Sequence, residues 1–238
     1  MTDAIPTMKR VGILGGASDV ATADYYRQIN AAVNARLGGL NCAELLISSM
    51  NFAFCADSIK NGRWDELGAY LADRARVLED GGCEAIMCLS NTLHRTAPVF
   101  MAGRSIPLIH IADPTGRAMQ AAGIRRVALL GTLPVMSGDH IKARFRDLFG
   151  IATVVPTPDE QVEVDRIIFQ ELCKNQFTEA SRQTYLRIVD RLAADGAEGV
   201  VLGCTEIPLL INQSDRPKLP MFDTTALHVT AAVDFALG

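Results

Sequence analysis

"CEAIMCLSNTLH" (residues 83–94) decides the fold, together with a second stretch, "AEGVVLGCTEIP" (197–208). Ile86, Met87, Cys88 and Leu89 form an apolar run with no polar alternation, the pattern of a strand buried on both faces. Ser90, Asn91, Thr92 and His94 then arrive within five positions. The second stretch repeats the design: Val200, Val201 and Leu202 lead to Cys204, Thr205 and Glu206. The two stretches lie 114 positions apart, and "RVGILGG" (10–16) stands 116 positions before "RVALLGT" (126–132). Two motifs in the same order at nearly one offset predict two related α/β halves. Ser90 and Cys204 then occupy equivalent strand ends, and a pseudo-twofold sets them facing across a cleft between the halves. In open α/β sheets, ligands bind outside the carboxyl ends of the strands.

Outward from these stretches, strand and helix signals alternate. Strands are expected at 10–16, 43–50, 84–90, 107–112, 126–132, 152–157, 199–204 and 220–224. Helices are expected after the first strand to about residue 36, over 64–82, at 113–123, 137–148, near 159–173, near 178–195, and at the end of the chain. Apolar strands with intervening helices mean parallel sheets covered on both faces.

Composition narrows the function. The chain has 238 residues, 49% hydrophobic and 21% charged, which suits a globular protein of one large or two small domains. A net charge of −4 with scattered Lys and Arg argues against a nucleic-acid partner. No apolar run reaches membrane-spanning length, and the N-terminal "MTDAIPTMKR" lacks the apolar core of a signal peptide, so the chain reads as cytoplasmic. Cysteines 42, 55, 83, 88, 173 and 204 form no CxxC pair and no zinc-ligand spacing with histidine. His110, His140 and His228 are too scattered in sequence to argue a metal site.

The motifs carry both structural and chemical readings. "GILGG" is not G-x-G-x-x-G, and the second strand ends "SSMNF" without a ribose-binding acid, so no nicotinamide cofactor is expected. "SNT" (90–92) can be a helix N-cap, a role compatible with carboxylate binding at the same place. His94 reads as structural or supporting rather than as a base. "GCTE" puts a thiol at a strand-to-helix turn, where free N–H groups and the helix dipole are expected to lower its pKa.

At this point the chain resembles the aspartate/glutamate racemase family. The resemblance rests on "VGILGGASDVATADYYRQI" (11–29), "SNTLH" (90–94), "IPLIHIAD" (106–113), "RVALLGT", "VDRIIFQELC" (164–173), "GCTEIPLL" (203–210) and "FDTTALH" (222–228). It implies two pseudo-symmetric Rossmann-like domains with mainly parallel sheets, the active site in the cleft between them. We divide the chain as 1–105 plus 210–238 and 106–209. The resemblance also implies a homodimer, no pyridoxal phosphate or other cofactor, and two cysteines flanking the substrate α-carbon, one removing a proton and the other delivering one. Cys204 matches the second of these cysteines. The first falls on Ser90, a departure from the common pattern that some family members specific for L-aspartate and L-glutamate share by carrying a hydroxyl there. Cys88 lies two positions earlier. Asn91 and Thr92 are expected to bind the α-carboxylate with help from Thr132 and Thr205, and Asn51 to contact the amino group. Arg166 is the favoured cation for a second carboxylate, with Lys60, Arg63 and Arg95 as alternatives. The expected substrate is aspartate or glutamate. The competing readings are a decarboxylase resembling arylmalonate decarboxylase, which needs a single thiol, and a non-catalytic dicarboxylate binder.

Overall fold

The computed structural model describes residues 7–238. Residues 1–6, part of the N-terminal stretch behind the cytoplasmic expectation, lie outside the described residues. In chain order the elements are β1 (Val11–Gly15), α1 (Asp19–Leu37), β2 (Leu45–Ser49), α2 (Phe52–Lys60), α3 (Trp64–Asp80), β3 (Ala85–Cys88), α4 (Ala97–Phe100), β4 (Leu108–Ile109), α5 (Ala112–Ala121) and β5 (Arg126–Gly131). They continue with α6 (Leu133–Ser137), α7 (His140–Phe149), β6 (Ala152–Val154), α8 (Pro158–Gln170), α9 (Glu179–Ala194), β7 (Val200–Gly203), α10 (Ile207–Leu210), β8 (Met221–Asp223) and α11 (Thr224–Leu237).

The strands form two parallel four-stranded sheets, ordered β2-β1-β3-β4 and β6-β5-β7-β8. The sequence repeat survives in the hydrogen-bond register. Gly12 pairs with Ile86 in the first sheet, and Ala128 pairs with Val200 in the second, the two offsets of the motifs. Ser90 and Cys204 therefore follow equivalent strands at equivalent positions.

Helix boundaries follow local chemistry. Ser18 caps α1 by accepting from the Ala21 N–H at 3.1 Å, and Asp19 adds a carboxylate to the first turn. Thr157 and Glu160 cap each other's backbone at the start of α8, with Pro158 as its first residue. Glycine is required after β1: Gly16 has φ +88°, and a Cβ there would stand 2.4 Å from the Met50 backbone.

Packing divides the chain into two compact units. The first holds the stretch up to Leu89, Thr96–Ile109 and Val229–Gly238. Its core joins Val11, Ile13 and Met87 of the sheet to Tyr25, Ile29 and Val33 of α1 and to Val229, Ala232 and Val233 of α11. The second unit holds Ser90–Arg95 and His110–His228. Period-two alternation gives its sheet two apolar faces. Ala128, Leu130, Val200 and Leu202 face α8 and α9. Val127, Leu129 and Val201 face α5 and α7. Burying each such Leu or Val contributes about 1.5–3 kcal/mol.

Several expectations are corrected here. Residues 210–228, expected with the first half, belong to the second unit because β8 pairs with β7. Ser90–Arg95 also leaves the first half for the second unit. The helix expected over 137–148 is broken at Gly138, whose extended backbone (ψ 172°) separates α6 from α7. The fourth strand shrinks to two residues, and α2 was not anticipated.

Candidate active site

Three strand ends of the second sheet carry candidate residues. β7 lies between β5 and β8 and delivers Cys204; β5 delivers Thr132, and β8 delivers Thr224. The segment Ser90–Thr92 is tied to both flanking strands. The Asn91 amide donates to Thr224 Oγ1 at 3.1 Å, and the Thr92 and Thr132 hydroxyls share a hydrogen bond at 2.8 Å. Two consecutive residues thus hold the strand ends on either side of β7, so the segment brackets the end that carries Cys204.

These bonds fix what each group has left to offer. The Thr224 hydroxyl proton is committed to the Leu202 carbonyl at 2.9 Å, so Asn91 must present its NH2 to Thr224. The Asn91 oxygen is then buried without a partner. It is an acceptor and suits an ammonium group better than the carboxylate expected for it. Thr92 and Thr132 share one bond with two hydroxyl protons, which leaves one O–H for an incoming acceptor. The Ser90 hydroxyl oxygen accepts from the Leu93 N–H at 3.3 Å. The N-cap reading is therefore realised, and the Ser90 hydroxyl still has its own proton to give.

Cys204 meets a carboxylate that sequence reasoning passed over. Its thiol donates to Glu206 Oε2 at 3.1 Å, and the Thr205 hydroxyl donates to the same oxygen at 2.7 Å. Cys204 is 8% exposed and Glu206 2%. Burial, reinforced by the Glu206 charge, pushes the Cys204 thiol well above its ordinary value. The expected lowering does not occur. The helix that follows is a single turn, too little to offset desolvation and a neighbouring carboxylate. Cys173 hydrogen-bonds the same carboxylate and is pushed up to about 12, first by burial and then by Glu206. With its proton on Glu206, Thr205 is no free donor for a substrate carboxylate. The available signal was a carboxylate two residues after a strand-end thiol.

The remaining candidates separate. Asn51 belongs to the first unit, where it caps α2 by accepting from the Ala53 N–H at 3.1 Å. Arg166 lies half-exposed on α8 and donates to both oxygens of Glu163 at 2.8 Å and to Glu171 at 3.1 Å. Those carboxylates occupy the guanidinium that was favoured for a second substrate carboxylate. Arg63 is similarly engaged by Asp57 and Glu66. Arg95 belongs to the Ser90–Arg95 segment. Cys88 is fully buried within β3.

Histidines scattered in sequence converge in space. All four belong to the second unit; His94, His110 and His228 are buried and His140 is partly buried. The His94 ring lies 4.3 Å from that of His110 and 6.3 Å from that of His228, centre to centre. Burial lowers His94 to about 3 and also lowers His110 and His140. Among the described residues, no group of three His, Cys, Asp or Glu side chains could hold a metal ion. No helix among them is long and apolar enough to cross a membrane.

Comparison with known proteins agrees with this frame. The family model for Asp/Glu/Hydantoin racemase matches residues 13–232. A Yersinia pestis protein described as a candidate Asp/Glu racemase is 38% identical, with a TM-score of 0.89 over 97% of this chain and 100% of that one. An aspartate racemase homologue from Pyrococcus horikoshii is 30% identical, with a TM-score of 0.79 over 95% and 98% of the two chains. The aspartate racemase of Picrophilus torridus, at 21% identity, shares the fold with a TM-score of 0.73 over 94% of each chain. With its strand-end thiol, its register-matched halves and a match spanning nearly all its length, the chain belongs to the Asp/Glu/Hydantoin racemase family.

Proposed function

We propose that this protein racemises an acidic amino acid, aspartate or glutamate, by moving protons between Cys204 and the Ser90 side of the substrate α-carbon. The observation that supports this best is the bracketing of Cys204 by Asn91 and Thr92, with Glu206 against the thiol. Cys204 rests as a thiol and can deliver a proton directly. To remove one it first passes its own proton to Glu206, leaving a thiolate beside a carboxylic acid. Inversion needs a donor on the opposite face, and Ser90, which follows the strand equivalent to that of Cys204, is the group we assign to it. A hydroxyl is a weaker acid than a thiol, so this step is the slow one. The equilibrium constant between enantiomers is unity, so a slow step in one direction lowers kcat/KM in both.

In this reading the Asn91 oxygen receives the substrate ammonium, and the spare hydroxyl proton of the Thr92–Thr132 pair meets the α-carboxylate. Thr205 acts through Glu206, and Asn51 keeps an amide NH2 beyond its capping role. Arg166 is engaged by two glutamates, and Arg95, which lies in the same segment as Ser90, is the cation assigned to the second carboxylate. The family resemblance supports a homodimer and action without pyridoxal phosphate.

Incubation of the purified protein with each enantiomer of aspartate and glutamate in D2O tests the reading. Deuterium should enter at Cα, and Cys204→Ser should abolish exchange while the fold persists. Glu206→Gln should lower kcat by about tenfold or more, the scale of lost acid–base assistance. Carbon dioxide release from a disubstituted malonate would favour the decarboxylase instead. Binding of the amino acids with no exchange would favour a passive binder.

A further inference from the structure

We propose that His94 and His140 are positioning residues that hold the Ser90–Thr92 backbone by donating ring N–H groups to two consecutive carbonyls, those of Ser90 and Asn91. The inference rests on the racemase reading only in taking this segment to be part of the site; the geometry stands by itself. Nδ1 of His94 lies 2.8 Å from the Ser90 carbonyl, and Nε2 of His140 lies 3.1 Å from the Asn91 carbonyl. A carbonyl only accepts, so each of these nitrogens carries the hydrogen.

The other ring nitrogens complete the assignment. Nε2 of His94 receives the Ile111 N–H at 3.3 Å, so it must be bare. Both contacts of His94 demand the same neutral Nδ1–H form. Nδ1 of His140 is buried without a partner, so a second proton there would be an uncompensated buried charge. His140 is therefore the opposite tautomer, Nε2–H and neutral.

The sequence explains the need. Beyond β3 the ladder ends with the Leu89 N–H on the Leu14 carbonyl at 3.2 Å. The Ser90 carbonyl already takes the His94 backbone N–H at 3.3 Å and has a second lone pair to fill, while the Asn91 carbonyl still needs a donor, since buried backbone groups are rarely left unpaired. The His94 ring adds a second, shorter bond to the Ser90 carbonyl and the His140 ring meets the Asn91 carbonyl, and His94 also connects the segment to the start of α5 through Ile111. A misplacement of about 1 Å at reacting groups can cost roughly a hundredfold in rate, so this hold bears on turnover.

Nitrogen-15 imidazole spectra of the full chain at neutral pH, assigned with His94→Asn and His140→Gln, test the tautomers without reference to activity. We expect His94 as Nδ1–H, His140 as Nε2–H, and neither charged. The opposite form or a charged ring at either position overturns the proposal. The kinetic arm compares His140→Leu with His140→Gln, which keeps an N–H near the same place. Leucine should lower kcat/KM by about tenfold or more and glutamine should recover most of it, with matched unfolding midpoints. Equal impairment of the two would mean that His140 only fills space and would sink its positioning role. If the leucine variant does not fold, the parent spectra still decide. A parent protein that exchanges no Cα hydrogen sinks the racemase reading alone, and wrong tautomers in an active parent sink this one alone.

Discussion

At the scale of single residues, the proposed chemistry turns on Ser90. Its oxygen caps the turn that follows, and its register matches Cys204. A serine confined to capping predicts that Ser90→Cys and Ser90→Ala racemise at the parental rate. A serine that delivers a proton predicts otherwise. Ser90→Cys would pair two thiols, and with an ordinary value near 8.5 a thiol lies far closer to working pH than a hydroxyl. We expect racemisation to rise by about tenfold or more, since each unit of pKa mismatch removed is worth up to tenfold. Ser90→Ala should suppress inversion but preserve exchange of the hydrogen facing Cys204. Chiral chromatography beside deuterium incorporation separates the outcomes. At this scale the sequence spoke through residue types. That Cys204, Ser90, Asn91, Thr92 and Thr132 follow strand ends was legible because small polar groups ended apolar runs. Glu206 was not, because a glutamate after a turn is ordinarily solvated, and only packing put it 2% exposed against the thiol. Arg166 misled because the chain pattern could not show Glu163 and Glu171 closing on it.

At the scale of elements, the contact of β5 with β7 determines where Thr132 and Cys204 emerge. Gly131 pairs with Gly203, and a Cβ on Gly203 would stand 2.6 Å from the Leu130 carbonyl oxygen and 2.9 Å from Leu129 Cδ1. The obstacle at 2.6 Å is backbone and cannot rotate away. Gly203→Ala should therefore push β7 from β5, costing about 1–3 kcal/mol in urea unfolding, as overpacking does. It should also lower exchange activity by moving Cys204. An unchanged urea midpoint would show that the strands yield freely. The longer strands were readable because they are uniform apolar runs, and in the structure α8 and α9 begin at the threonine caps Thr157 and Thr178. β4 was overread: apolar residues continue beyond the two that pair. α2 was missed because Asn51, its cap, looked like a ligand contact; a strand-end asparagine serves either purpose.

For the molecule as a whole, the histidines set a response to acid. His94 falls from 6.5 to about 3 by burial, and His110 and His140 are also lowered, so the unfolded chain takes up protons first. The stability gained by keeping them neutral is complete above about pH 6.5 and declines as pH falls toward each folded value. Every proton by which the unfolded state leads costs about 1.4 kcal/mol per pH unit. Between pH 6.5 and 5, above the ordinary carboxylate range, the urea midpoint should fall steadily. A midpoint flat over that interval would mean that the rings are charged in the folded protein. The repeat was legible at this scale from four short motifs, but the boundary was not. β8 joins the second sheet by pairing, which no local pattern in 210–228 announces. The preserved register has one further consequence. Serine and cysteine codons can differ by a single base, so the difference between the two strand ends can be a one-step genetic change. If both halves descend from a duplicated ancestor, the handedness of the machinery was written after the duplication, and random mutagenesis under selection for faster turnover should revisit codon 90 early.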